Sequence, residues 1–144
     1  MTKTPDLPRP TDAELEILTV LWARGPTTVR EVHETLQLRK PAQYTTVLKL
    51  MQIMAEKGLC ARDESQKSHV YRALVDQGQT RRGVVAEIID RVFAGSAAQL
   101  VESALSTKPA SREELDAIRR LLDAKEAEVA EGRSPSGKDQ GKGR

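Results

Sequence analysis

Between Thr11 and Val75 the apolar residues follow a helical spacing three times, then give way to two short runs that read as strands. "TDAELEILTVLWARG" begins with Thr11 and carries Glu14 three residues later, a capping-box pattern, and Leu15, Leu18, Leu21 and Trp22 recur at helical spacing until Gly25-Pro26 stops the helix. "TTVREVHETLQL" gives a shorter helix over Val29–Gln37, with Val29, Val32 and Leu36 on one side. "KPAQYTTVLKLMQIMAEKG", Lys40 to Gly58, gives a third, ended by Gly58. "LCARDE" and "HVYRALV" then read as strands joined by the polar segment "ESQKS". Three short helices followed by a hairpin is the order of a winged helix-turn-helix. The expected fold class is therefore mainly α with a small β-hairpin wing, followed by a helical region.

The third helix starts oddly. Tyr44, Thr45 and Thr46 are an aromatic and two β-branched residues, which form helices poorly. On a 100° wheel with Val47 at zero, Leu50, Met51 and Met54 share its side and form the buried face. Thr45, Lys49, Gln52 and Glu56 fall opposite, with Ala42, Thr46 and Ile53 beside them. The outward face near the N-terminal end is thus small, hydroxylated and singly basic. Such a face fits a DNA major groove, because bulky side chains would block access while hydroxyls and a lysine reach phosphates and base edges. On an isolated helix the same face would be ordinary solvated surface.

Charge taken by region decides between the two. The formal net charge of +2 over 144 residues points to no partner. From Pro10 to Leu38, however, two basic residues stand against five acidic ones; from Arg39 to Val75, seven basic residues stand against three acidic. The positive charge gathers in the third helix, its lead-in turn and the hairpin, the parts a winged helix presents to DNA. The candidate DNA-binding residues are Arg39, Lys40, Ala42, Gln43, Tyr44, Thr45, Thr46, Lys49 and Gln52, with Lys67 and Ser68 at the hairpin tip reaching a flanking phosphate.

After Val75 three amphipathic segments follow. The first carries Val85, Ile88, Ile89, Val92 and Phe93, and the second Leu100, Val101, Ala104 and Leu105. The third opens on a second capping box, Ser111 with Glu114, and carries Leu115, Ile118, Leu121, Leu122 and Val129. These helices are too short and too apolar on one side to stand alone, so pairing with a second chain is expected; the alternative is fold-back onto the first domain. The expected domains are an extended arm at 1–10 holding three prolines, a winged helix at 11–75, a helical dimerisation domain at 76–131 and a disordered basic tail at 132–144. With aromatics at only 3% of the chain, the core is expected to be aliphatic.

Other classes find little support. There is no Gly-rich phosphate loop, no Ser/His/Asp arrangement and no metal-spaced cluster, so neither an enzyme nor a cofactor is expected. Cys60 has no partner for an internal disulfide, no apolar run serves as a signal peptide and no stretch is long enough to span a bilayer. A cytoplasmic protein with no membrane partner is expected. Cys60 reads as a small buried residue, and His33 and His69 as polar surface or core. A winged helix that binds protein would show an apolar or acidic outer face, which this one lacks; a low-specificity architectural DNA binder stays open.

The residues "TDAELEILTVLW", "YTTVLKLMQIMAEKGL" and "HVYRALV", in that order and followed by a helical C-terminal region, closely resemble the penicillinase-repressor family, the BlaI/MecI type of bacterial transcriptional repressors, over roughly Leu7 to Glu131. The resemblance implies a homodimer that binds a dyad-symmetric operator and blocks transcription. In it Thr45, Thr46 and Lys49 match outward recognition-helix residues and Gln66 to Ser68 match the wing, while Ile53 stands where many relatives carry arginine. Dimerisation would use Val85, Ile88, Ile89, Val92, Phe93, Leu100, Val101, Leu105, Leu115, Ile118 and Leu122. In β-lactam-responsive members a membrane-bound sensor protease system leads to cleavage between an asparagine and a phenylalanine that follow a Leu-Val pair. Here the matching segment is "LVESALS", with Ser103 and Ala104 at the two positions, so both signature residues are replaced. Copper-responsive relatives carry repeated Cys-X-Cys patterns near the C-terminus; no cysteine follows Cys60, which rules out thiolate copper sensing on ligand count.

Overall fold

The computed structural model describes residues 9–65 and 67–132. Most of the expected arm, the hairpin residue Gln66 and the tail beyond Gly132 lie outside the described residues. Helix α1 spans Asp12–Arg24 and opens on the expected capping box: the Thr11 hydroxyl accepts from the Glu14 N–H at 3.2 Å, and the Glu14 carboxylate accepts from the Thr11 N–H at 2.9 Å. Gly25 closes it at a φ of 81°, a value that favours glycine. The helix buries Glu14, Ile17, Leu18, Val20 and Leu21, a wider surface than the expected stripe, while Leu15 and Trp22 are half-buried. The physical reason is its central position: α1 is packed by α2 (Val29–Gln37), by α3 (Tyr44–Lys57) and by strand β3 (Val70–Ala73).

Helix α2 also begins with a full capping box, Thr28 with Glu31, which the sequence reading passed over. Helix α3 begins at Tyr44, the start the sequence led one to expect. Pro41 stands just ahead of it, and a proline disfavours helical geometry in the residue before it. Gly58 ends α3 in the left-handed conformation, φ 87°. Strand β2, Cys60–Asp63, pairs antiparallel with β3, Cys60 facing Ala73 and Asp63 facing Val70. A third strand, β1 at Thr27–Thr28, joins the other edge of β3 with Thr27 opposite Tyr71, so the sheet order is β1-β3-β2. Two residues are too few to show a period, which is why β1 is invisible in the sequence.

The core of this part gathers Ile17, Leu18, Leu21, Val32, Val47, Met51, Met54 and Leu59, all nearly or fully inaccessible. It is not wholly aliphatic, as its largest fully buried side chain is Tyr71. The buried face of α3 is Val47, Met51 and Met54, with Leu50 half-buried beside them. Cys60 is buried, as its residue type suggested. The Trp22 indole N–H donates to the Val75 carbonyl at 3.0 Å and so ties the strand's exit to α1.

Three further helices follow among the described residues: α4 (Gln77–Val92), α5 (Ala97–Thr107) and α6 (Arg112–Ala130). The chain divides into two compact units, Met1–Glu87 and Ile88–Arg144, so the division falls inside α4. Asp76 caps α4 by accepting from the Gln79 N–H at 2.8 Å, and Ser96 caps α5. At α6 the Ser111 hydroxyl accepts from the Glu114 N–H at 3.0 Å, the hydroxyl half of the expected box. None of the three helices holds a buried residue.

Candidate nucleic-acid interface

The site is built around α3. Its inner face is committed to the core, so helical period alone turns Thr45, Lys49, Gln52 and Ile53 outward, and all four are exposed. Tyr44 and Thr46 are exposed at its first turn. A groove of about 540 Å³ separates α3 from the hairpin and the start of α2. Tyr44, Leu48 and Gln52 form one wall, Arg62, Lys67, Ser68 and His69 the other, and Arg30 closes the α2 end. Of the residues expected at the interface, Tyr44, Gln52, Lys67 and Ser68 thus come together here.

Others are placed differently. Lys40, Ala42, Gln43 and Thr46 line a second groove of about 680 Å³ against α1, together with Glu16 and Ile17. Lys40 sits 3.8 Å from Glu16 and both side chains are well exposed, a weak ion pair that leaves the ammonium available to another anion. Ala42 is half-buried against the core rather than outward. Arg39 is exposed in the α2–α3 turn and lines neither groove.

Arg30, Arg62 and His69 were not singled out from sequence. Arg30 lies in the stretch whose overall charge is acidic, so a regional count hid it. Strand alternation gives no signal for Arg62: it pairs with the buried Tyr71 in the register and so shares that face of the sheet with Tyr71 and Cys60, yet it is exposed. A hydrogen bond to Tyr71 and the neighbouring Glu64 carboxylate hold its guanidinium firmly protonated. Glu64 and Glu56 line the far end of this surface with Gln52 and Arg62. The cationic part therefore lies toward the first half of α3 and the hairpin tip.

Lys57, counted among the cations of this region, belongs elsewhere. Its ammonium donates to both carboxylate oxygens of Glu14, at 2.8 and 3.0 Å. Glu14 is almost inaccessible, and burial alone would push its pKa up; the Lys57 hydrogen bond and charge and the Thr11 bonds outweigh that and hold it below the ordinary carboxylate value.

In the C-terminal helices, Val85, Ile88, Val92, Val101, Leu105 and Leu122 are exposed in the single chain, and Ile89, Phe93, Leu100, Leu115 and Ile118 are half-buried. Ser103 and Ala104 lie within α5, both exposed. Among the described residues no group of three or more His, Cys, Asp or Glu could hold a metal ion, and no helix is long and apolar enough to cross a membrane.

A family model described as penicillinase repressor matches residues 10–124, a span that runs through the winged helix and well into α6. The chain belongs to the penicillinase repressor family. Among curated relatives, it is similar to the "Transcriptional regulator BlaI" of Mycobacterium tuberculosis strain H37Rv, 29% identical over 125 residues that cover 86% of this chain and 88% of that protein. It is also similar to the "Methicillin resistance regulatory protein MecI" of Staphylococcus aureus strain N315, 23% identical over 113 residues that cover 78% and 92%. A solution structure of the DNA binding domain of the repressor BlaI overlaps 51% of this family member and 90% of that chain at 23% identity, with a TM-score of 0.46.

Proposed function

We propose that this chain is a transcriptional repressor that binds operator DNA as a homodimer, in the compartment that holds the DNA. The observation that carries the reading is the outward face of α3: Thr45, Thr46, Lys49 and Gln52 are exposed on a helix beside a groove lined by Arg30, Arg62 and Lys67. Small hydroxyl and amide side chains read base edges, and the flanking cations hold phosphates and set the register. Residues 11–75 serve as the reading head and 76–131 as the pairing region. Family membership across both parts supports that division of labour.

Pairing follows from physics as well. One winged helix reads only a few base pairs; two linked copies multiply their discrimination, and half-sites then lie about one helical turn apart or a multiple of it. The unburied apolar residues of α4, α5 and α6 supply the surface for a second copy. Release from DNA by cleavage at Ser103–Ala104 would require α5 to unwind, because the pair sits inside the helix.

The test is selection of duplexes from a random-sequence pool at physiological salt. Recovery of a compact inverted repeat supports a sequence-specific dimer. Recovery with no shared motif overturns the reading in favour of architectural binding by phosphate contacts alone.

A further inference from the structure

We propose that His33 is a positioning residue for DNA reading: it fixes the direction in which the recognition helix leaves the turn, and with it the placement of Tyr44, Thr45 and Thr46. The inference rests on the DNA-binding reading above. Backbone hydrogen bonds hold each side of the turn separately, Lys40 N–H to the Leu36 carbonyl on the α2 side and Val47 N–H to the Gln43 carbonyl on the α3 side. The N-cap residue of α3, Gln43, makes no side-chain capping bond, in contrast to Thr11, Thr28, Ser96 and Ser111 at other helices. A bond that reaches from α2 to the turn residue just ahead of the α3 N-cap is His33 Nε2 to the Ala42 carbonyl, 2.8 Å.

A carbonyl only accepts, so Nε2 carries the hydrogen and the imidazole is held in that tautomer at the nitrogen facing the turn. The same ring meets the Tyr44 ring edge-on, 5.7 Å between centroids at 83°. One side chain of α2 therefore holds both the last carbonyl before the N-cap and the first side chain of α3. Tyr44 in turn lines the groove that Arg30 and Lys67 also line. Base-edge contacts tolerate displacements of only about 0.5 Å, so a helix whose start is loosely held loses discrimination before it loses attraction to phosphate.

Three variants separate the hydrogen bond from the ring: His33→Gln, which keeps a donor near the Nε2 position; His33→Phe, which keeps the ring and loses the donor; and His33→Ala. Each is titrated against the inverted repeat selected by the wild-type protein and against a scrambled duplex of equal length, with thermal unfolding followed in parallel. We expect His33→Phe and His33→Ala to lower the ratio of specific to scrambled affinity by roughly tenfold, the loss of about one good base contact. Scrambled-duplex affinity and the unfolding midpoint stay near wild type, and His33→Gln restores most of the ratio. A wild-type ratio in His33→Phe would overturn the proposal, as would equal loss in all three variants with a matching fall in the midpoint. If the wild-type protein itself prefers no sequence, the DNA-reading function fails first, and the positioning role with it.

Discussion

Lys57, the last residue of α3, holds both carboxylate oxygens of Glu14 in the first turn of α1, at 2.8 and 3.0 Å. Glu14 also accepts from the Thr11 N–H, so one nearly inaccessible carboxylate caps a helix and anchors the far end of α3. The start of that helix is tied to α2 through His33 and Ala42. α3 is thus held at both ends by polar bonds while its middle packs through Val47, Met51 and Met54.

Replacing Lys57 by methionine leaves Glu14 buried without its charged partner. We expect a loss of about 2 kcal/mol in unfolding free energy, within the range for hydrogen bonds to charged groups. Glu14→Gln should lose less, because the amide can still accept from Thr11. The pH dependence has a definite sign. Glu14's pKa is lower in the folded chain than its ordinary value of 4.5, so its contribution is present above that value and disappears as pH falls through the folded pKa. Urea unfolding between pH 7 and pH 3 should show a steeper loss in the wild type than in Glu14→Gln. Parallel curves would sink the assignment.

Lys49→Ala should weaken binding to the selected repeat, and if the side chain meets phosphate the slope of log affinity against log salt falls by about 1. If instead it reads a base, the slope stays and the preference at one position relaxes. Lys49 is exposed, so the unfolding midpoint of the variant should not move. Titrations at several salt concentrations distinguish the two roles. Unchanged affinity and sequence preference would refute the docking of α3.

Cys60 should be inert while the protein is folded. Burial, with a further push from the Glu14 charge, raises its thiol to about 11, so almost no thiolate exists at neutral pH. A thiol reagent such as a disulfide dye should label it only at the rate of global unfolding, and Lys57→Met, by lowering stability, should speed labelling. Rapid labelling of the native wild type would show that the strand opens locally.

Most of the three-helix and hairpin part was legible because its signals are local. Thr11 with Glu14, Gly25-Pro26 and Gly58 bound the helices they were expected to bound, and Val47, Met51 and Met54 face inward as their spacing required. What stayed hidden depends on distance along the chain. β1 exists only because Thr27 meets Tyr71, 44 positions on, and nothing in two threonines announces that pairing. Lys57 looked like a surface cation because its partner lies 43 residues away. Arg30 and Arg62 join the groove through the turn of α2 and the pleat of β2, which a count of charges cannot resolve. Tyr71 entered the core against the low aromatic content, since one residue is enough to fill a central position.

The C-terminal helices carry the last prediction. Leu122 on α6 is 57% exposed and Val92 on α4 is 68% exposed in the single chain, values that leave large apolar side chains in water unless a second copy covers them. Each such side chain contributes about 1.5–3 kcal/mol when fully buried, so several at one interface are enough to drive association. Leu122→Asp would place a charge there, and a homodimer should then dissociate in sedimentation equilibrium while circular dichroism stays helical. Operator binding should fall far more than scrambled-duplex binding, because a monomer keeps its phosphate contacts and loses the second half-site. A variant that remains dimeric would move the interface off this face of α6, and a wild-type protein that is monomeric at micromolar concentration would remove the paired reading altogether.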